Sequence, residues 1–153
     1  MLKKQIHNPH LFHVGLKLIL ENQKGEILAL KMPVDSSMSG YYDLPGGRIN
    51  SDELNNPYSK IIKREVLEEI GKRIRYRLIQ KPVAISRHFY FSPKLKKEGH
   101  IFFVFFKAFY LDGVIKISDE HIDYQWIKLS SKTVPKYFTR GLREGLQNYF
   151  KWK

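Results

Sequence analysis

The sequence predicts a single α+β domain. Three observations carry that expectation. Its 153 residues make one domain. Apolar spacing changes from strand to helix periodicity twice, in the order strands, helix, strands, helix. No repeat, low-complexity tract or Pro/Gly/Ser-rich linker divides it, so residues 1–153 read as one unit. A chain of this length buries about 68–70% of its unfolded surface, enough for one core.

His13–Leu20 and Glu26–Lys31 read as strands, joined by the turn Glu21-Asn22-Gln23-Lys24-Gly25, where Gly25 supplies the positive φ. Pro33–Gly40 is a polar loop. Tyr41–Gly47 is a short strand running into a tight turn: Pro45 fixes φ, and Gly46 and Gly47 permit close backbone approach. Asn56 then reads as an N-cap, Pro57 as the first helical residue and Gly71 as the stop. Ile62, Val66 and Ile70 form an apolar stripe at i, i+4 and i+8, with Leu67 beside it. Ile74–Tyr90 holds two β-like stretches around Pro82, and Ser92–Gly99 is a basic loop. His100–Leu111 reads as a long buried strand and Tyr124–Leu129 as another. Tyr137–Phe150 reads as a helix, because Phe138, Leu142, Leu146 and Tyr149 recur at helical spacing.

Composition narrows the class. Hydrophobic content of 42% excludes a disordered chain, and the absence of cysteine excludes disulfides and thiolate metal sites. Met1-Leu2-Lys3-Lys4-Gln5 lacks the apolar core of a secretory signal, and the longest apolar run, Ile101–Phe106, is strand-sized. A cytoplasmic protein is the expectation. The net charge of +12 favours anionic partners, with the densest basic patches at Lys72–Arg77 and Lys94–Lys97. A nucleotide suits that charge; RNA is the less favoured partner. The sequence leaves the oligomeric state open, a homodimer included.

The most informative stretch is Arg64-Glu65-Val66-Leu67-Glu68-Glu69-Ile70-Gly71 behind the turn Gly46-Gly47. Glu65, Glu68 and Glu69 stand at i, i+3 and i+4, which share one side of a helix. At an effective dielectric near 20, two bare carboxylates ~6 Å apart repel by roughly 3 kcal/mol. Such a cluster calls for a counter-charge. Mg2+ or Mn2+ answers it, because a hard cation takes oxygen ligands and keeps positions open for phosphates.

At these residues the chain resembles the Nudix hydrolase family, whose signature reads G-x5-E-x7-R-E-U-x-E-E-x-G-U, with U a bulky aliphatic residue. Gly47 to Glu53 matches the first part and Arg64 to Gly71 the second; ten residues, Leu54–Lys63, replace the seven between them, and Lys72 stands at the last U. Asn55-Asn56-Pro57 makes the longer gap an enlarged loop ahead of the helix. The likeness extends to Ser118–Ile127 and so spans roughly Phe12–Phe150.

The resemblance implies an α/β/α sandwich with a mixed central sheet. It also implies metal-dependent hydrolysis of a nucleoside diphosphate linked to another moiety. Glu65 and Glu69 would be the principal metal ligands. Glu68 would be a further ligand or the residue acting on the water, and the Gly46 carbonyl a backbone ligand. Arg64 would hold the glutamates by ion pairing, and Glu53 would be structural or a base. A further acidic ligand is expected from a distant segment, Glu98 first and Glu120 second. His7, His10 and His13 read as surface residues rather than ligands. Tyr41, Tyr42, Phe89, Tyr90, Tyr137 and Phe138 read mainly as core, with stacking on a base as their alternative. A Nudix-like module binding RNA or another polyanion without turnover is the competing reading.

Overall fold

The computed structural model describes residues 7–153, so the reading of Met1–Gln5 lies outside it. Its elements are β1 (His13–Glu21), β2 (Ile27–Lys31), β3 (Tyr42–Asp43), β4 (Gly46–Arg48), α1 (Tyr58–Glu69), β5 (Arg73–Ser92), β6 (Lys97–Val114), β7 (Asp123–Ile127), α2 (Val134–Tyr137) and α3 (Arg140–Trp152). The strands form one sheet in the order β3-β2-β1-β6-β5, with β4 paired to β1 and β7 to β2. β1 and β6 run parallel, Leu16 opposite Val104; every other pairing is antiparallel. The sheet is therefore mixed, as expected.

Strand alternation sorts the core into two layers. Leu16, Leu18 and Leu20 of β1 meet Ile61, Ile62, Val66 and Ile70 on one side of the sheet. Ile19, with Phe103 and Phe105 of β6, meets Phe138, Leu142, Leu146 and Tyr149 on the other. A helix on each face completes the α/β/α sandwich. Gly145 makes the second contact close, because a Cβ there would overlap the Phe105 ring.

Several local expectations shift. Pro57 is the N-cap residue (φ −60°, ψ 146°) and Tyr58 the first helical one, so Asn56 lies outside the helix in the Leu54–Asn56 turn. The enlarged loop and the proline at the helix entrance stand as expected. The two stretches around Pro82 are one strand of twenty residues. Pro82 lacks an N–H for the ladder, and the register slips at Leu78, Pro82 and Ala84 instead of breaking. The loop after Ser92 shrinks to a turn at residues 93–96. The Tyr137–Phe150 helix is two helices. Phe138 is extended (φ −128°, ψ 147°) and buried between them, which lets its ring enter the core without helical register.

Candidate active site

On α1, about 100° per residue sets Glu69 ~40° to one side of Glu65 and Glu68 ~60° to the other. Those angles decide burial. Glu65 and Glu69 are 7% and 4% exposed, on the inner side with Ile61, Ile62 and Val66, whereas the Glu68 side chain is 55% exposed. The three glutamates thus do not share one environment, and two of them lie on the packing side of the helix.

What receives them is the Gly46-Gly47 turn. Gly46 N–H donates to Glu69 Oε2 at 2.7 Å. Gly46 has φ +129°, and a Cβ there would strike the Leu16 carbonyl, so only glycine lets β4 approach β1 this closely. A Cβ on Gly47 would stand 2.6 Å from Glu65 Oε1, so the carboxylate occupies the space a side chain would fill.

Arg64 gathers the remaining acids. It grips both oxygens of Glu53, reaches Glu65 Oε1 at 2.7 Å and Glu68 Oε2 at 3.0 Å, and donates to the Arg48 carbonyl at 3.3 Å. Glu53 Oε2 also accepts from Asn50 N–H at 2.9 Å. The bond from Arg64, then that from Asn50, holds Glu53 below the usual carboxylate range. The longer gap therefore does not displace Glu53 from Arg64: the extra residues are absorbed in the turn between them.

Sequence reasoning missed Lys17. It sits inside β1, buried, and its ammonium donates to Asp43 Oδ1 (2.8 Å), Leu44 O (3.2 Å) and Gly46 O (3.0 Å). Burial works against the charge, but Asp43, then Glu69, more than restore it, and Lys17 stays above its ordinary value. Asp43, in turn, is held low by Lys17 and His121 despite its burial. The available signal was a lone lysine in the apolar run Gly15-Leu16-Lys17-Leu18-Ile19-Leu20, since a charge in a buried strand requires a partner. The Gly46 carbonyl, expected to be free for a metal, already accepts from this lysine.

Lys17 does not neutralise the site fully. Burial, only partly offset by Lys17, pushes Glu69 up to about 8, and burial, only partly offset by Arg64, raises Glu65 as well. Two buried carboxylates with hard oxygen donors fit a divalent cation of the Mg2+ or Mn2+ type. Among the described residues no group of three His, Asp or Glu side chains is arranged to hold a metal ion.

Glu98 and Glu120 stand apart from these contacts. Glu98 is exposed beside His100, with Oε1 at 3.1 Å from Nε2, and Glu120 is exposed in the turn before β7. His7, His10 and His13 are exposed, as expected, with the His10 ring 4.4 Å from that of His100. Tyr42 and Phe138 are core, whereas Phe89 is exposed and Tyr90 partly so.

Two hollows flank the site. A cavity of about 310 Å3 opens beside Gly47, on the α3 side of the sheet, between Lys17, His88, Phe103 and Met38. A groove of about 840 Å3 runs between α1 and β5, edged by Lys60, Lys63, Lys72, Arg75 and Arg77. Lys60 and Lys63 point ~140–160° from Glu65 around α1, so that groove lies on the helix's other side.

The NUDIX domain family model matches residues 11–149. Solved structures of the same fold include a MutT protein from Methanosarcina mazei Go1, at 25% identity and TM-score 0.63, covering 96% of this chain and 94% of that one. An ADP-ribose pyrophosphatase from Streptococcus suis matches at 18% identity and TM-score 0.59, covering 91% and 90%. The dihydroneopterin triphosphate pyrophosphohydrolase of E. coli matches at 13% identity and TM-score 0.59, covering 93% and 99%. No curated protein matches. No helix among the described residues is long and apolar enough to cross a membrane. With the signature glutamates all present and the family match spanning nearly the whole chain, this protein belongs to the Nudix family of hydrolases.

Proposed function

We propose that this enzyme, working in the cytoplasm, hydrolyses a nucleoside diphosphate linked to another moiety, with Mg2+ or Mn2+ as cofactor. The observation that supports the reading best is the pair Glu65 and Glu69, buried against the Gly46-Gly47 turn, where burial outweighs the nearby charges of Arg64 and Lys17. When bound, the cation supplies charge neutralisation of the diphosphate and a more acidic water. Glu65 and Glu69 hold it, with the Gly46 carbonyl and Glu98 as the further ligands to be tested. Glu68, exposed and one turn from Arg64, orients or deprotonates the attacking water, or joins the ligands. Arg64 keeps Glu53, Glu65 and Glu68 in place, so that little reorganisation accompanies the charge that develops in phosphoryl transfer. Glu53 serves by fixing Arg64.

The test is a turnover screen over nucleoside triphosphates, nucleotide sugars, ADP-ribose, dihydroneopterin triphosphate and dinucleoside polyphosphates, with and without Mg2+. Turnover of at least one compound that disappears on chelation, and rises above neutral pH, is expected. Full activity after exhaustive EDTA treatment sinks the reading. The basic α1–β5 groove favours a second reading, polyanion binding without turnover. That one predicts metal-independent RNA binding with a steep salt dependence and no hydrolysis of any compound in the screen.

A further inference from the structure

The cavity beside Gly47 contains one polar side chain with half of its hydrogen-bonding capacity spent. His88 of β5 is 6% exposed and lies on the cavity wall with Phe103, Ile101, Tyr90 and Met38. Its ring leans on the Phe103 ring, centroids 4.9 Å apart and planes at 32°. Nδ1 accepts the backbone N–H of Gly141 at 3.3 Å. A nitrogen that accepts carries no proton, so the neutral ring is protonated on Nε2. Burial, then the nearby charge of Lys17, pushes His88 down to about 4. The imidazole is thus neutral under ordinary assay conditions, with one N–H to give.

No group among the described residues accepts that N–H. Nor is it sealed in: the enclosed side-chain atoms without a partner are Ser118 Oγ and His121 Nδ1. Nε2 therefore reaches open space, on a ring that lines both this cavity and the hollow beside His10, Phe12 and His100. Lys17 and Asp43, already paired with each other, and Ser36, Ser37 and Arg48 share the wall with Met32, Met38, Ile101, Phe103 and Tyr90. The cavity's volume is at the small end of the ~300–1,000 Å3 that ligand pockets span. At its edge Arg48 donates to Tyr90 Oη at 3.2 Å, its guanidinium 5.7 Å from the ring centre, which sets a cation between the cavity and the Glu65–Gly47 contact.

We propose that this cavity receives the base of the nucleotide substrate and that His88 Nε2–H reads a hydrogen-bond acceptor on the base edge. The inference rests on the nucleotide reading above and adds the residue that discriminates among nucleotides. Phe103, Ile101 and Met38 supply sequence-blind apolar contact to any planar ring. The buried His88 donor, uncommitted where the Lys17 ammonium is already spent, is selective, because a base lacking an acceptor there leaves it desolvated and unpaired. Arg48 meets the phosphate next to the base.

The test compares the full-length protein with His88→Asn, whose side-chain oxygen still accepts from Gly141 while the Nε2 donor is gone. Binding of ATP, GTP, CTP, UTP and base-free tripolyphosphate is measured by calorimetry with Mg2+, and turnover is measured separately. At least one nucleotide should bind about tenfold more weakly to the variant, or 1.4 kcal/mol. Tripolyphosphate should bind both proteins alike, and KM should rise with kcat nearly unchanged. The wild-type His88 side-chain 15N resonances should move on saturation with that nucleotide and stay in place with tripolyphosphate, a readout that does not require the variant to fold. Equal binding of all nucleotides by both proteins, equal weakening of tripolyphosphate, unmoved His88 resonances, or no nucleotide binding at all each overturns the proposal. If nucleotides bind through His88 but none is hydrolysed, the hydrolase reading fails and this one stands. If nucleotides are hydrolysed with indifference to His88→Asn, the outcome is reversed.

Discussion

Lys17→Met isolates the internal cation of the site. The substitution keeps an unbranched chain of similar volume in β1 and deletes the ammonium. Asp43 then remains buried with the Leu44 N–H at 2.7 Å and His121 Nε2 at 3.7 Å as its remaining partners, and the Leu44 and Gly46 carbonyls each lose a donor. Breaking a buried ion pair from one side costs about 3–5 kcal/mol, because the surviving charge is left uncompensated. In a chain of this length each kcal/mol moves Tm by about 2–4 °C, so Tm should fall by roughly 6–20 °C. Asp43→Leu alone strands the lysine and should cost a similar amount. The double variant strands neither and should lose markedly less than the two singles together, a positive coupling of at least about 1 kcal/mol. Urea unfolding at pH 7 of the wild type, both singles and the double variant measures all four corners. The sign with pH is also set: Asp43 is held low and Lys17 high, so the pair contributes above about pH 4 and below about pH 10. A Lys17→Met cost under about 1 kcal/mol, or additive singles, would refute the role of this pair in holding the turn.

Glu69→Gln should cut turnover to less than a tenth, a barrier change above ~1.4 kcal/mol, with an unchanged circular dichroism spectrum. In the metal-free protein, Glu69 pushed up to about 8 means that the native state holds a proton that the unfolded state releases near pH 4.5. Stability should therefore decline as pH rises from 5 to 8, by on the order of 4 kcal/mol at most, and Glu69→Gln should flatten that slope in urea titrations. Gly47→Ala should displace the Glu65 carboxylate, because its Cβ would stand 2.6 Å from Oε1; a metal titration by calorimetry should register weaker binding than wild type. For a charged nucleotide, kcat/KM should fall with salt as the Debye length shrinks from ~10 Å at 0.1 M to ~3 Å at 1 M. Lys60→Gln/Lys63→Gln should leave that dependence intact, since both lysines face away from Glu65 around α1, and its disappearance in a kinetic salt series would contradict this.

Much of the protein was determined by the sequence alone, wherever the determining contacts are local. A helix must put residues one turn apart together, so spacing alone pairs Glu65 with Glu69, and Arg64 with Glu68. The glycines had to sit where backbones crowd, and Pro57 had to stand at a helix entrance because it has no N–H to give. In a strand, alternation puts Leu16, Leu18 and Leu20 on one face and Lys17 and Ile19 on the other, although which face met what was left to the fold. What only the tertiary structure decided are contacts between segments distant along the chain. Lys17 meets Asp43 across 26 residues, and His88 meets Gly141 across 53. Periodicity carries no signal for such meetings, since it states which face a residue takes and not what the other side presents. The same limit separates Glu68 from Glu65 and Glu69: spacing placed all three within one arc of the helix, but the edge of the buried zone, drawn by β4 and the Gly46-Gly47 turn, falls between them. Burial is a property of the packed neighbours, and it encloses two of the three carboxylates while leaving the third in solvent.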